Sequence, residues 1–142
     1  MYQIAIEFVV SADVIVENLP RGRAYLSDQL RRAALSIPLN IAEGAGEYAV
    51  EEKVRFYRMA KRSATECAGI LDVCQRLQLV DEQHQTKGRE LLIRIVSMLI
   101  LTSALFFHPS LIINHLNFFC STTFLLILNS QGPSLLFVPI AL

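Results

Sequence analysis

Apolar residues recur at helical spacing from residue 1 to about residue 99, in four successive blocks. In the first, residues 1–18, Ile4, Ala5, Phe8, Val9, Ala12, Ile15 and Val16 cover most of a helical circumference. Gln3, Glu7 and Glu17 leave only a narrow wet stripe, so this helix is expected to be buried by its own bundle and by a neighbouring subunit. Leu19-Pro20 and Gly22 then predict a turn. The second block holds Leu30, Ala33, Ala34, Ile37, Ile41 and Ala42. Its predicted start is Ser27-Asp28, with acid at the positive end of the helix dipole, and its predicted stop is Gly44 to Gly46. Pro38 falls inside the pattern. It lacks an N–H for the carbonyl four residues back, which predicts a kink near Ala34, with Ser36 and Asn40 placed to bond the freed backbone groups.

The third block predicts a helix over residues 50–79, in which Phe56, Ala60, Ser63, Cys67, Ile70, Cys74 and Leu77 step by four and three. That is the periodicity of a bundle seam, and its small members allow close helix approach. Residues 81–85 read as a polar connection or the first turn of a fourth helix, whose apolar face is Leu91, Leu92, Ile95, Val96 and Leu99. No stretch alternates at period two and no hairpin turn pair occurs. The predicted fold is all-α: an antiparallel up-and-down four-helix bundle over residues 1–99, with an uncharged apolar C-terminal tail over residues 100–142.

The tail differs in kind from the bundle. Thirteen basic and thirteen acidic residues cancel over the whole chain, and all of them lie between Glu7 and Arg94. Residues 111–128 are apolar at a length marginal for a membrane span, but they contain Asn114, His115 and Asn117 and lack Lys or Arg anchors. Gln131, Gly132, Pro133 and Ser134 interrupt the run. Three readings of the tail compete: a membrane-associated hairpin, an apolar cover for the bundle or its assembly, and residues read past a frame change near Ile100.

Charge and cysteine usage narrow the chemistry. Zero net charge gives little long-range field for nucleic acid. Three cysteines without a CxxC spacing predict neither a zinc site nor a disulfide framework. Cys67 and Cys74 are about 10 Å apart by helical rise, too far for an intrahelical disulfide, and suit a reducing cytoplasm as small core residues. Cys120 has no evident partner. No basic leader precedes the first apolar run, so no signal peptide is expected. His84, His108 and His115 make no ligand set, and Gly44-Ala45-Gly46 lacks the lysine and preceding strand of a phosphate loop. No metal, cofactor or catalytic residue is expected.

Two basic clusters stand out: Arg31-Arg32, with Arg21 and Arg23 upstream, and Arg55, Arg58, Lys61 and Arg62. Arg55, Arg58 and Arg62 share one helical face, where guanidinium groups suit bidentate phosphate contacts. The competing reading is a solvated face with internal pairs, Glu51 to Arg55 and Arg62 to Glu66 at i, i+4. Tyr25, Tyr48 and Tyr57 are candidates for base stacking, although Tyr57 fits a helix–helix contact better. Glu43 beside Arg31 or Arg32 across a subunit boundary makes an ion pair; as a general base it lacks a nucleophile, a second acid or a metal. Ser36 lacks a His–Asp arrangement and is read as structural, beside Pro38.

The stretch Gln29-x-Arg31-Arg32-Ala33-Ala34-x-Ser36-Ile37-Pro38-x-Asn40-Ile41-Ala42-Glu43-Gly44 resembles the signature of the small four-helix bundle proteins encoded within 23S rRNA intervening sequences, also called the S23 ribosomal protein family. Leu19-Pro20, Arg55-Phe56, Ala60, Ser63 with Glu66, and Met98-Leu99 fall where that family would put them. The resemblance implies a ring-forming homo-oligomer, usually a pentamer. It also implies kinship with an accessory protein of diversity-generating retroelements, which shares the fold and binds nucleic acid. The expected function is therefore a non-enzymatic assembly module with RNA or DNA as ligand. Arg31, Arg32, Arg55, Arg58 and Arg62 would contact phosphates, while Ser36, Pro38, Asn40, Glu43 and Gly44 hold the helix and a subunit contact. The alternatives are a scaffold for a reverse-transcriptase-like protein and a membrane-associated protein acting through residues 111–128. The chain departs from the family at Glu47-Tyr48, Ala49, Lys53 and Arg62; the missing cap at Ala49 alone costs about 1 kcal/mol.

Overall fold

The computed structural model describes residues 1–107, which form α1 (Tyr2–Glu17), α2 (Ala24–Gly46), α3 (Val50–Arg76) and α4 (Glu82–Phe107). Each helix packs on its neighbours in sequence, and α1 closes the square against α4. Across α2 and α3, Gly44 meets Tyr57, Ser36 meets Ser63 and Gln29 meets Glu66, so numbering falls on one helix as it rises on the other. Across α3 and α4, Tyr57 meets Phe106 and Asp72 meets Arg89. The expected antiparallel up-and-down bundle is the fold. Phe8, Ile15, Leu30, Ile37, Leu71, Ile95 and Leu99 are fully buried at its centre. Residues 111–128, Cys120, His108, His115 and the break at residues 131–134 lie outside the described residues. Among the described residues no helix is long and apolar enough to cross a membrane.

The helix ends correct the sequence reading. α2 starts at Ala24, three residues before Ser27: the Arg23 carbonyl accepts from Leu26 N–H (3.0 Å) and Ser27 N–H (3.2 Å), and no side chain caps it. Ser27 is inside the first turn, its hydroxyl turned back to the Arg23 carbonyl. α3 ends at Arg76 rather than residue 79. Gln78 adopts φ +53°, its N–H bonds the Gln75 carbonyl (3.0 Å) and Leu79 N–H bonds the Cys74 carbonyl (2.9 Å). This is a Schellman stop with glutamine at the left-handed position where glycine is usual, which is why the sequence did not announce it. Gln78→Gly is expected to stabilise the bundle by about 0.5–1 kcal/mol, read as a higher urea midpoint. Asp81 caps α4 by accepting His84 N–H at 3.0 Å. That bond, followed by the bond from the His84 side chain, holds the Asp81 carboxyl below the usual carboxylate range. α4 continues through Ile100 to Phe107, beyond the point where the resemblance stops.

The seam of α3 also shifts by one residue in places. Its buried positions are Val54, Tyr57, Ala60, Ala64, Cys67, Ile70, Leu71 and Cys74, whereas Phe56 and Ser63 are half-buried and Leu77 is exposed. Phe56 and Ser63 sit on the flank facing α2, so a pattern of size and spacing alone selected the edge of the stripe instead of its centre.

Gln85, read as part of a polar connection or of the first turn of the fourth helix, lies in that first turn and faces the core at 2% exposure, because it precedes Gly88 and Leu92 on the inner face of α4. Its amide oxygen and nitrogen, and the Ser11 hydroxyl, have no hydrogen-bond partner among the described residues. An unpaired buried polar group costs about 1–3 kcal/mol. Gln85→Met keeps the shape and removes that cost. It is expected to raise stability by about 1–2 kcal/mol in urea denaturation, and an unchanged or lower midpoint would contradict the burial argument.

Among the described residues, α1 is buried on one side only. Ala5, Phe8, Ser11, Ala12, Ile15 and Val16 face the core, while Ile6, Val10 and Val14 are exposed, Val10 and Val14 lining a groove with Leu35 of α2.

Candidate nucleic-acid interface

The polar residues of α2 gather on the flank that meets α3. Gln29, Arg32, Ser36, Asn40 and Glu43 are spaced by three or four, so they form one polar stripe beside an apolar core face. Two hydrogen-bonded tiers tie this stripe to α3. In the upper one, Ser63 Oγ donates to Ser36 Oγ (3.0 Å) and Asn40 Nδ2 donates to both Ser36 Oγ (3.0 Å) and the Ser36 carbonyl (2.8 Å). In the lower one, Gln29 Nε2 donates to Glu66 Oε1 (2.8 Å) while Gln29 Oε1 accepts from Arg32 Nη2 (2.6 Å). Between them opens a groove of 340 Å³ lined by Gln29, Arg32, Ala33, Ser36, Ser63 and Glu66.

These contacts revise the role expected of the residues around Pro38. Pro38 is buried inside α2 and does not end it. The carbonyl it deprives of a partner is that of Ala34, one turn back. Asn40 bonds Ser36 instead, so its buried amide serves the α2–α3 contact and not the proline gap. Ser36 is likewise engaged by Ser63 and Asn40, with no base beside it.

Arg31 and Arg32, adjacent in sequence, diverge in space because successive helical residues point about 100° apart. Arg31 Nε pairs with Asp13 Oδ1 of α1 (3.2 Å) at the edge of a 390 Å³ groove between α1 and α2. Arg32 faces α3. Arg55, Arg58 and Arg62 are all exposed on the outer face of α3. The expected pairs along that face are replaced: Arg55 Nη1 bonds Glu52 Oε2 (3.1 Å), not Glu51, and Glu66 bonds Gln29, not Arg62. An exposed pair such as Arg55–Glu52 contributes about 0–1 kcal/mol, so it does not withhold Arg55 from a phosphate. Tyr48 is fully exposed beyond the end of α2, and Tyr25 is exposed at its start, while Tyr57 is buried as a helix–helix contact.

Glu43 is exposed and makes no ion pair among the described residues. Gly44 has a structural reason: a Cβ there would lie 2.7 Å from Tyr57 Cε1, 2.9 Å from Tyr57 Cδ1 and 3.1 Å from Phe56 Cβ. Its missing side chain is what lets α2 approach α3 over the Tyr57 ring.

Gln29, Ser63 and Glu66 join the groove without having been singled out as site residues. The signal for Gln29 is its place in the polar stripe; Ser63 and Glu66 show only when α3 is packed against it. Among the described residues no group of three or more His, Cys, Asp or Glu side chains is arranged to hold a metal ion. Burial, followed by the nearby Glu66 charge, pushes the Cys67 thiol up to about 12, and burial also raises Cys74. Both are free and buried, so both stay protonated and unreactive in the folded state.

Comparison with known proteins fits this arrangement. A crystal structure of a protein of unknown function from the S23 ribosomal protein family of Bacteroides thetaiotaomicron superposes with a TM-score of 0.67 at 19% identity, covering 72% of this chain and 96% of that one. At that identity the likeness speaks for the fold. No curated protein matches the chain. The sequence model of the 23S rRNA-intervening sequence proteins matches residues 1–101, which take in α1 to α3, most of α4 and the polar stripe, and the chain belongs to that family.

Proposed function

We propose that the protein is a non-enzymatic, self-associating four-helix bundle that binds RNA across the outer face of α3. The observation that carries this reading is the set Arg55, Arg58 and Arg62, exposed together on one rigid helix beside the hydroxyl- and amide-lined groove between α2 and α3. Guanidinium groups carried at successive turns of a rigid helix suit bidentate contacts to backbone phosphates, and the groove offers hydrogen-bonding partners to sugar or base edges. Membership of a family named for 23S rRNA intervening sequences supports RNA over DNA. A non-enzymatic role is supported by the use of Ser36, Asn40 and Glu66 in internal hydrogen bonds. Buried free thiols at Cys67 and Cys74 suit the cytoplasm.

The test is a salt titration of a fluorescein-labelled single-stranded RNA with the full chain, followed by anisotropy. Affinity is expected to fall with salt with a log–log slope of about −2 or steeper, as three or more phosphate contacts require. Binding that is weak and insensitive to salt would overturn the RNA reading. A protein-binding scaffold, with a reverse-transcriptase-like protein among its candidate partners, would then be favoured by the zero net charge and the exposed apolar residues of α1 and α2.

A further inference from the structure

The groove between α2 and α3 holds one charge of each sign on a single amide. Gln29 Oε1 accepts from Arg32 Nη2 at 2.6 Å, and Gln29 Nε2 donates to Glu66 Oε1 at 2.8 Å. Only this orientation of the amide suits both partners, because a guanidinium cannot accept and an ionised carboxylate cannot donate. Arg32 and Glu66 are thereby set side by side in the lining of the groove, and among the described residues they do not pair with each other. The guanidinium has several further N–H groups and the carboxylate several further lone pairs, so each keeps most of its hydrogen-bonding capacity.

The placing of Glu66 calls for a ligand group of its own. Arg55, Arg58 and Arg62 run along the outer face of α3, and Glu66 follows Arg62 by one helical turn. A carboxylate at the end of a phosphate-binding row repels the backbone it meets, and it lowers affinity unless a donor reaches it. Base edges supply such donors, and they differ. Uracil presents one N–H between two carbonyls, while cytosine and adenine present an amine beside a ring nitrogen that accepts. Guanine alone presents two adjacent donors, N1–H and N2–H, with the O6 acceptor next in line. We infer that the groove reads one guanine of the bound RNA, Glu66 accepting from N1–H and N2–H and Arg32 donating to O6. This assignment rests on the RNA reading above and adds base identity to it. The edge concerned is free only in unpaired RNA, so the ligand is single-stranded at that position. At 340 Å³ the groove is wide enough for a purine ring. One turn past Glu66, α3 is bare: a Cβ on Gly69 would meet no atom within 4 Å.

The experiment titrates the full chain into fluorescein-labelled oligouridine that carries one central guanosine or one central inosine, followed by anisotropy. Inosine lacks the N2 amine but keeps N1–H, O6 and every phosphate. The guanosine strand is expected to bind about fivefold tighter or more, the value of one hydrogen bond to a charged acceptor. Both affinities are expected to fall as salt rises while the gap between them holds, because the two strands carry the same phosphates. Glu66→Gln, with circular dichroism confirming its fold, is expected to shrink the gap to within about twofold. Equal binding of the two strands with the salt slope intact would overturn the guanine assignment and leave the arginine face of α3 standing. That comparison uses the unaltered chain, so it decides the matter whether or not the variant folds. A gap that survives in a folded Glu66→Gln chain would overturn the assignment to this groove. Binding of neither strand in a salt-dependent manner would overturn the RNA reading and the guanine assignment together.

Discussion

Gly44→Val is expected to lower the stability of the bundle by about 3 kcal/mol, read as a shift of the urea midpoint at unchanged slope. The cause is local and steric. The first added carbon would sit 2.7 Å from a ring carbon of Tyr57, which is itself only 6% exposed and has no room to retreat. Gly44→Ala meets the same ring with the same Cβ, but alanine also gains about 1 kcal/mol of helix propensity over glycine, so its net cost is expected to be nearer 1 kcal/mol. Pairing Gly44→Ala with Tyr57→Leu separates clash from propensity. If the ring is the obstacle, the double variant loses less than the two single losses together, by about 1 kcal/mol. Strict additivity would mean that glycine is held at this position for another reason.

The second large effect concerns binding. Reversing Arg55, Arg58 and Arg62 to glutamate is expected to reduce RNA affinity about a hundredfold at low salt and to flatten the salt slope by about 2. Because all three side chains are exposed, circular dichroism and the thermal midpoint should hardly move. Arg31→Glu is a useful contrast. Arg31 points into the α1–α2 groove beside Asp13, about a quarter-turn from Arg32, and its reversal should leave RNA affinity within about twofold. Equal losses from Arg31 and from the α3 arginines would move the interface to a different face.

Much of this architecture is written in the spacing of apolar residues. Leu30, Ala33, Ala34, Ile37 and Ile41 fixed the inner face of α2, and Leu91, Leu92, Ile95 and Leu99 that of α4, because burial of a helical stripe leaves a period that no other element shares. What the pattern did not carry were features decided by a partner helix. Tyr57 and Ala64 occupy the centre of the α3 seam, yet Phe56 and Ser63 scored better on size and step until α2 claimed them for its flank. Gln78 ends α3 in a conformation that glutamine rarely adopts, and Gln85 is buried in spite of its polarity. The arginine face of α3 was visible in the spacing, but its true acidic partner, Glu52 at i−3, depended on rotamers that sequence does not specify.

The two cysteines of the α3 seam turn the molecule into its own clock. Cys67 and Cys74 are closed to solvent, with thiols held protonated by burial, so an alkylating reagent can mark them only in the moments when the bundle opens. When closing outpaces labelling, the marking rate is proportional to the fraction of time spent open. Anything that binds only the closed bundle then slows the clock by the factor one plus its concentration over its dissociation constant. Counting adducts on the Cys67 and Cys74 peptides by mass would thus report an RNA, a second copy or an unknown protein on one scale, before any of them has been identified.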